Sequence, residues 1–260
     1  MYVKISTNLR FGMNVRNLSY KELVVYNEIP KALVKVGPTL IISAIPMAQY
    51  VLFPVAYKFP KYFLSSHFYS IEQKVDFSLS DLTKRLHHSK PVFRHLQERI
   101  QEIDSTESNS NMRKKCQEVF DLLGSGFHPT LDQIISIKLV FETKPFGLRY
   151  LKGGHLYSLC KLHGIRSTRL LFGRRPRLWN HAGFIHELDM ALDRDGGPES
   201  LSLSELRTAC FTRGLNPMNT SNEELCHFLN DWIHISSLCN GKIFNWFNLI
   251  DAFLVQFIFN

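Results

Sequence analysis

The chain has 260 residues, of which 45% are hydrophobic and 21% are charged. This composition is too apolar for an intrinsically disordered protein, and it predicts a sizeable buried core. The formal net charge of +8 favours anionic partners such as RNA or acidic lipid headgroups, although net charge informs about association rather than fold.

The N-terminal segment, residues 1–34, is basic at its start. Lys4, Arg10, Arg16 and Lys21 all occur before the first acidic residue, Glu22. This composition is typical of a mitochondrial presequence, and equally of a basic segment beside a membrane. The residues themselves leave both interpretations open.

An uncharged apolar run follows, with 22 residues between Lys35 and Lys58 that carry no charge. As one helix it would be about 33 Å long, enough to cross a bilayer core of about 30 Å. The run contains three prolines, Pro38, Pro46 and Pro54. Each would cost roughly 3 kcal/mol inside a soluble helix, but membrane helices tolerate them. We predict a proline-containing transmembrane helix over residues 35–58, with a kinked, buried core helix as the alternative.

The pattern after residue 70 is helical. Ser70 and Gln73 have the spacing of a capping box, and VFRHLQERI and CQEVFDLL carry apolar residues at intervals of three and four. The segment DSTESNSN, residues 104–111, is predicted to be a polar loop. Gly124-Ser-Gly126 should end a helix before TLDQIISIKLVFE begins the next. Because no alternating strand pattern occurs, the predicted fold class is all-α.

A basic stretch is the sharpest charge feature of the chain. Nine Lys or Arg residues lie from Lys144 to Arg177, and no acidic residue lies between Glu142 and Glu187. A solvated helix face would carry this charge without a partner, whereas a clustered patch would bind phosphates. Seven of these cations are the candidate ribosome- or RNA-binding residues: Lys152, Lys161, Arg166, Arg169, Arg174, Arg175 and Arg177. The last three are the preferred contacts.

Two similar segments lie about 50 residues apart, LYSLCKLHGI from Leu156 and LRTACFTRGL from Leu206. Each predicts a short amphipathic helix that is closed by a glycine in the left-handed conformation. Capping boxes at Ser202 and Ser221 place the second copy in a helix pair. Such pairs also occur in SAP-like nucleic-acid modules, so a soluble SAP-like nucleic-acid binder is one further hypothesis.

The final apolar segment, residues 243–259, carries Asp251 at its centre. It is predicted to be a core or interfacial helix rather than a second span. The chain has five cysteines without C-x-x-C spacing: Cys116, Cys160, Cys210, Cys226 and Cys239. They are expected to be reduced core residues.

No motif for catalysis or cofactor binding occurs in the sequence. Phosphate-binding glycine loops and the zinc- and serine-hydrolase signatures are absent. His87-His88 lacks a second pair at zinc-ligand spacing. The stretch ALDRDGGPESLS lacks the first and last calcium ligands, and is expected to be a loop that ends a helix. We therefore expect neither enzyme activity nor a cofactor or metal.

Several segments occur in the order and spacing of a known family: IPMAQYVLFPVAYKFP, HFYSIEQKVDF, HLYSLCKLHGI, HELDMAL and SLSELRTACFTRGLNP. Through them the chain resembles the LETM family of leucine zipper, EF-hand and transmembrane-type mitochondrial proteins, in particular its short branch without those extensions. The resemblance extends from about Leu18 to Leu249. It implies one span in the inner mitochondrial membrane and, over residues 59–260, a 14-3-3-like, ribosome-binding helical domain in the matrix.

The resemblance also gives a meaning to Gln49, the polar residue within the predicted span. Longer members of the family carry an acidic residue at about this position, and an amide cannot exchange protons as a carboxylate does. This difference weighs against cation/proton antiport. Because NLSYKEL resembles the mature part beside the span, the family's transit peptide is not expected in this sequence.

These features predict a non-enzymatic, single-pass inner-membrane protein that binds the mitochondrial ribosome, through its RNA or its proteins, from the matrix side. Such a protein would support membrane-protein biogenesis and mitochondrial organisation. Inner-membrane lipids are the second expected partner. The main alternative is a subunit of a K⁺ or Ca²⁺/proton antiporter, which would need a homo-oligomer because one span cannot line a path.

Overall fold

The computed structural model of the chain describes residues 2–3, 5–6, 15–65, 68–103, 107–125, 127, 129–142, 144–165, 173–218 and 220–238. Within these ranges the regular structure is entirely helical, without a strand. The predicted all-α class is confirmed.

The described ranges contain twelve α-helices: α1 Tyr20–Ser43, α2 Gln49–Lys58, α3 Pro60–Phe63, α4 Ile71–Leu86, α5 Ser89–Ile100, α6 Glu107–Gly124, α7 Leu131–Ser136, α8 Lys138–Glu142, α9 Gly153–Leu162, α10 Arg174–Arg194, α11 Leu203–Thr212 and α12 Asn222–Leu238. Short 3₁₀ helices occur at Val15–Asn17, Leu148–Tyr150 and Pro198–Ser200. The chain divides into two compact units, unit 1 (residues 1–81) and unit 2 (residues 82–260).

The predicted single helix over residues 35–58 is wrong, because the run is broken between α1 and α2. Met47 lies in this break with a φ of 67°, a left-handed conformation that an ordinary side chain seldom adopts within a helix. Pro46 precedes it and has no N–H with which to continue the helical hydrogen bonds. In the part of the chain that the structure describes, no helix combines the length and the apolar character needed to cross a membrane.

The two ends of the apolar run lie close together in unit 1. The ammonium of Lys35 donates a hydrogen bond to the hydroxyl of Tyr69, and the same hydroxyl lies 3.3 Å from the carbonyl oxygen of Lys61. Both α2 and α3 pack against α1. The chain therefore leaves the vicinity of Tyr69 at residue 36 and comes back to it at residue 60, and we call residues 36–60 the apolar hairpin. Its second arm, α2, has 10 residues and a length of about 15 Å.

Capping boxes begin several helices in both units. The three predicted boxes, at Ser70, Ser202 and Ser221, are confirmed by reciprocal hydrogen bonds to the side chain three residues later. Two further boxes start at Ser19 and Thr130. Each box satisfies backbone N–H groups that a helix leaves without a partner at its start.

Two predicted boundaries near the middle of the chain are wrong. Residues 104–111 were predicted to be a polar loop, but α6 begins within them, at Glu107. Ser and Asn are tolerated in the first turn of a helix, because the backbone N–H groups there have no partner within the helix and can donate hydrogen bonds to side chains instead. The segment TLDQIISIKLVFE forms two short helices, α7 and α8, with Ile137 between them. The helix that was predicted to end at Gly124 does end there.

The two similar segments form matching helix ends, as predicted. Gly164 and Gly214 have φ values of 66° and 102°. In each copy the residue after the glycine donates a hydrogen bond back into the cysteine-containing helix: Ile165 N–H donates to the Cys160 carbonyl at 2.7 Å, and Leu215 N–H donates to the Cys210 carbonyl at 3.1 Å. This is the hydrogen bond of a Schellman helix end.

The cysteine prediction is confirmed for three residues: Cys116, Cys160 and Cys210 are buried thiols that are not in a disulfide. Burial raises the pKa of the Cys116 thiol to about 12, so it stays protonated at neutral pH. Cys226 is free and partly buried. Cys239 and the apolar segment 243–259 lie outside the described residues.

Candidate functional site

Unit 2 brings cations from three parts of the chain together near the starts of α9 and α10, and we call this set the basic strip: Lys144, Arg149, Lys152, Lys161, Arg174, Arg175 and Arg177. The Arg175 guanidinium donates to the carbonyl oxygens of Leu148 and Leu151 at 3.3 and 3.0 Å. The Arg174 guanidinium donates to the Gly153 carbonyl at 3.1 Å. The start of α10 therefore lies against residues 148–153, next to the start of α9.

Tyr157 organises the other end of the basic strip. The Lys161 ammonium lies 5.6 Å from the centre of its ring, and the Arg174 guanidinium carbon lies 5.2 Å from it. Cations at such distances are attracted to the negative face of an aromatic ring. The ring of His88 meets Tyr157 edge-on at 5.8 Å. These contacts place α5, α9 and α10 around one aromatic side chain.

The predicted RNA-binding residues differ in how much of their charge they present. Arg174 is buried, so it holds α10 against α9 rather than offering its charge to a ligand. The Lys152 ammonium already pairs with Glu102 at 2.8 Å. Arg177 is exposed and Lys161 is half-buried, and these two are the best placed of the five described residues to meet a phosphate. Arg166 and Arg169 lie outside the described residues.

Exposed aromatic side chains lie beside these cations. Tyr150 is 41% exposed and Trp179 is 47% exposed, and the Lys144 ammonium lies 5.2 Å from the centre of the Tyr150 ring. Proteins that bind single-stranded nucleic acid combine cations for phosphates with aromatic rings on which bases stack. The basic strip therefore has both chemical components of an RNA-binding surface.

The charge of the basic strip at neutral pH comes from lysine and arginine. Burial, with the nearby charges of His87 and Lys161, lowers the pKa of His88, so its imidazole is neutral at pH 7. The hydrogen bond from Lys152 lowers the pKa of Glu102, which keeps that carboxylate ionised. The positive potential is therefore insensitive to pH near neutrality.

A buried polar network holds the C-terminal helices of unit 2 together. The Arg213 guanidinium donates from Nε and Nη2 to one carboxylate oxygen of Asp189, at 2.9 and 2.5 Å, and neither side chain is exposed. The indole N–H of Trp232 donates to the other oxygen at 3.1 Å. Burial raises the pKa of Asp189, while Arg213, Ser236 and Trp232 oppose the rise. One carboxylate thus connects α10, α12 and the end of α11.

No motif in the sequence predicted this network, although one signal for it is present. Asp189 lies within α10 between the buried residues Leu188 and Leu192, where its helical spacing places an acid on the apolar face. An acid at such a position requires a buried donor. The sequence alone did not show that Arg213, next to the predicted Gly214, supplies it.

Gln49, the polar residue of the predicted span, lies at the start of α2 and is exposed. The apolar hairpin around it exposes large side chains on both arms and at the turn, including Ile41, Met47 and Val51 at 70–73%. Monomeric soluble proteins rarely expose a continuous apolar surface of this kind, and such surfaces mark membrane or protein contacts. The hairpin is therefore the second candidate functional feature.

A metal site is not formed by the described residues. No group of three or more His, Cys, Asp or Glu side chains is arranged there to hold an ion. His95 and His155 stack with ring centres 5.3 Å apart, but His155 is completely buried and its two ring nitrogens have no hydrogen-bond partner among the described residues.

Comparison with known proteins gives a consistent result. Residues 18–244 match the protein family described as "LETM1-like, RBD". Curated relatives carry the name LETM1 domain-containing protein 1. The Xenopus tropicalis protein is 27% identical over 227 residues, which is 87% of this chain and 63% of that protein. The human and Bos taurus proteins are 27% and 26% identical over 234 residues, 90% of this chain and 64% of each protein.

The chain thus spans slightly less than two thirds of the length of these relatives. No solved structure matches it.

Proposed function

Because the chain belongs to the LETM1-like RBD family, whose name denotes a ribosome-binding domain, we propose that it is a non-enzymatic mitochondrial protein that binds the mitochondrial ribosome through the basic strip of unit 2. The apolar hairpin of unit 1 attaches it to the inner membrane. Ribosomes held in this way would deliver newly made membrane proteins close to the bilayer. The family match over residues 18–244 is the observation that carries the proposal.

The basic strip supports an RNA-directed contact. Its cations come from a stretch in which no acidic residue occurs between Glu142 and Glu187, although Glu102 reaches one end of it from α5. Phosphate groups dominate the affinity of proteins for nucleic acids, since lysine and arginine release the counterions that surround the RNA. The exposed rings of Tyr150 and Trp179 add stacking surfaces. Ribosomal RNA fits this combination, because its phosphates can meet the cations and its unpaired bases can stack on the two rings.

The apolar hairpin supports membrane attachment in one leaflet. Its two ends meet at Tyr69, and α2 is about 15 Å long. A bilayer core is about 30 Å thick, so an arm of this length reaches the middle of the membrane and returns. A single-pass span would instead require residues 35–58 to straighten into one helix, which Met47 and Pro46 oppose. The hairpin geometry therefore favours insertion in one leaflet.

Sedimentation with mitochondrial ribosomes through a sucrose cushion tests the ribosome proposal. The full chain with Lys161→Glu and Arg177→Glu should sediment with ribosomes much less than the natural chain. The slope of log affinity against log salt concentration should fall by about 2, because each lost cation removes one phosphate contact.

A matched control carries Lys115→Glu and Arg207→Glu, two exposed positions of unit 2 outside the basic strip. It has the same net charge as the test variant, so it should keep the affinity and the salt slope of the natural chain. Equal loss in both variants would show that net charge alone drives association. Unchanged binding in the test variant would contradict the proposed RNA contact.

A further inference from the structure

Unit 1 contains a pocket of about 450 Å³ next to the apolar hairpin, within the usual volume range of small-ligand sites. Three lysines line it: Lys31 and Lys35 from α1, and Lys61 from α3. Its other lining residues include Ser65, Tyr69 and the apolar side chains of Val25, Ile29 and Phe77. Cationic groups and apolar walls thus meet in one cavity.

The charge balance of the pocket favours an anion. Two carboxylates, those of Glu28 and Asp81, line the pocket together with the three lysine ammonium groups. Asp81 is paired with Lys61 at 2.5 Å. Desolvation lowers the pKa of Lys31, although the charge of Glu28 opposes this shift. One unit of positive charge remains without a carboxylate, and an arriving anion would neutralise it.

The geometry aims the ammonium groups into the same space. Lys31 and Lys35 are separated by four residues on α1, so their side chains lie one turn apart on the same face. The ammonium of Lys35 donates to the Tyr69 hydroxyl and lies 4.9 Å from the centre of the Tyr69 ring. The ammonium of Lys61 lies 5.4 Å from the centre of the Phe77 ring. Two aromatic rings therefore hold two of the three cations at the pocket wall.

The position of the pocket along the hairpin identifies the kind of anion. Lys35 immediately precedes the apolar hairpin, and Lys61 immediately follows it. A hairpin inserted into one leaflet places these residues where hydrocarbon gives way to phospholipid headgroups, the level at which lysines normally anchor membrane segments. Basic pockets between membrane-associated helices bind anionic lipid headgroups in other proteins.

We propose that this pocket binds the phosphate of an anionic phospholipid, with Lys31, Lys35 and Lys61 around the headgroup and the acyl chains along the apolar hairpin. The inference rests on the proposed attachment of the hairpin to the membrane and adds a lipid preference to it. The hairpin supplies attachment to any bilayer, and the three lysines select the headgroup.

Flotation of the full chain with vesicles tests the proposal. One set of vesicles contains phosphatidylcholine alone, and the other contains phosphatidylcholine with phosphatidylglycerol or cardiolipin. The natural chain should bind both sets and prefer the anionic one. The triple variant Lys31→Gln, Lys35→Gln, Lys61→Gln should lose roughly tenfold or more in affinity for anionic vesicles and keep its affinity for neutral ones.

A second triple variant provides the matched control: Lys74→Gln, Lys84→Gln, Lys90→Gln, which removes three exposed lysines that do not line the pocket. It should keep the preference of the natural chain. If it loses as much as the pocket variant, diffuse surface charge explains the preference and the proposal is overturned. Retention of the full preference by the pocket variant overturns it equally.

Soluble sn-glycerol 3-phosphate in excess should leave binding to anionic vesicles unchanged, because it lacks acyl chains. Displacement by it would assign the pocket to a soluble phosphate ester instead and overturn the proposal. Equal binding of the natural chain to both sets of vesicles would contradict the headgroup site alone and leave the proposed membrane attachment standing. If the natural chain binds anionic vesicles but not neutral ones, the proposed insertion of the hairpin is contradicted instead.

Discussion

In unit 2 the large apolar side chains lie inside, and in unit 1 many of them lie outside. Among the described residues, 18 large hydrophobic side chains are exposed in residues 1–81, against six in the much longer unit 2. Unit 2 also buries charge, with Asp189 and Arg213 at its centre. Apolar residues therefore build a core in unit 2, whereas in unit 1 many of them form an exposed apolar surface.

The largest expected effect comes from breaking the buried pair that distinguishes unit 2. Arg213→Met leaves Asp189 without the guanidinium and should lower the free energy of unfolding by about 3–5 kcal/mol. Urea unfolding followed by circular dichroism measures the change. Arg207→Met, at an exposed position of α11, the helix that Arg213 follows, should shift stability by less than about 0.5 kcal/mol. Similar values for the two variants would contradict a stabilising role for the pair.

A matched phenylalanine pair compares the two units directly. Phe228 is buried in unit 2 and Phe53 is 62% exposed in unit 1. Phe228→Ala should cost about 3–5 kcal/mol in urea unfolding, through the cavity that it leaves. Phe53→Ala should cost less than about 1 kcal/mol, but it should weaken flotation with neutral vesicles. The comparison fails if Phe53→Ala unfolds the chain as strongly as Phe228→Ala, or if it leaves flotation unchanged.

The pH dependence of unit 2 should depend on His155. Burial, with the nearby charges of His95 and Arg99, lowers the pKa of His155 to about 3, whereas an exposed histidine has a pKa near 6.5. Between these values the unfolded chain binds a proton that the folded chain does not. The free energy of unfolding is therefore unaffected by this group above about pH 6.5, and it decreases as the pH falls from there toward 3. Acidification from pH 7 to pH 4 should remove up to about 3 kcal/mol through this group.

His155→Leu is the control for that pH dependence. Because the imidazole makes no hydrogen bond within the described part of the chain, leucine should fit without a large cost at pH 7. The free energy of unfolding, measured with urea at several pH values, should then fall less steeply with acidification than in the natural chain. The difference in slope should correspond to the uptake of about one proton. An identical slope in both proteins would assign the acid sensitivity to other groups.

The smallest expected effect tests what the two units share. Ser19 begins α1 in unit 1 and Ser202 begins α11 in unit 2, each in a complete capping box. Replacing either serine with alanine should cost about 1 kcal/mol. Urea unfolding measures both variants, and replacement of each serine with aspartate, which also caps helices, should restore most of the loss. A cost in one unit alone would show that local helix signals matter there more than in the other.

Local signals in the sequence were sufficient for the helix starts and for the matching helix ends. Ser70, Ser202 and Ser221 begin helices because each carries its own partner three residues later, and Gly164 and Gly214 end them because glycine tolerates a positive φ. Such features involve neighbours in the chain, so a pattern can reveal them.

Features that depend on distant residues were missed. Asp189 and Arg213 are separated by 24 residues, and the Lys35–Tyr69 contact joins residues 34 apart. The prediction of one helix over residues 35–58 used length and apolar content, which describe a straight segment. It could not include the return of the chain, because that depends on the left-handed Met47 and on contacts with Tyr69. Whether a cation of the basic strip can meet a phosphate likewise depends on distant partners, such as the Glu102 that pairs with Lys152.

The meeting of Lys35 and Lys61 at Tyr69 has a consequence for topology. A chain that enters a leaflet at residue 36 and leaves it at residue 60 keeps both flanking segments in the same aqueous compartment. Neither flank then lies across the bilayer from the other. A protease added to one side of sealed membranes would therefore reach tags placed at both termini, whereas a straight span would shield one of them.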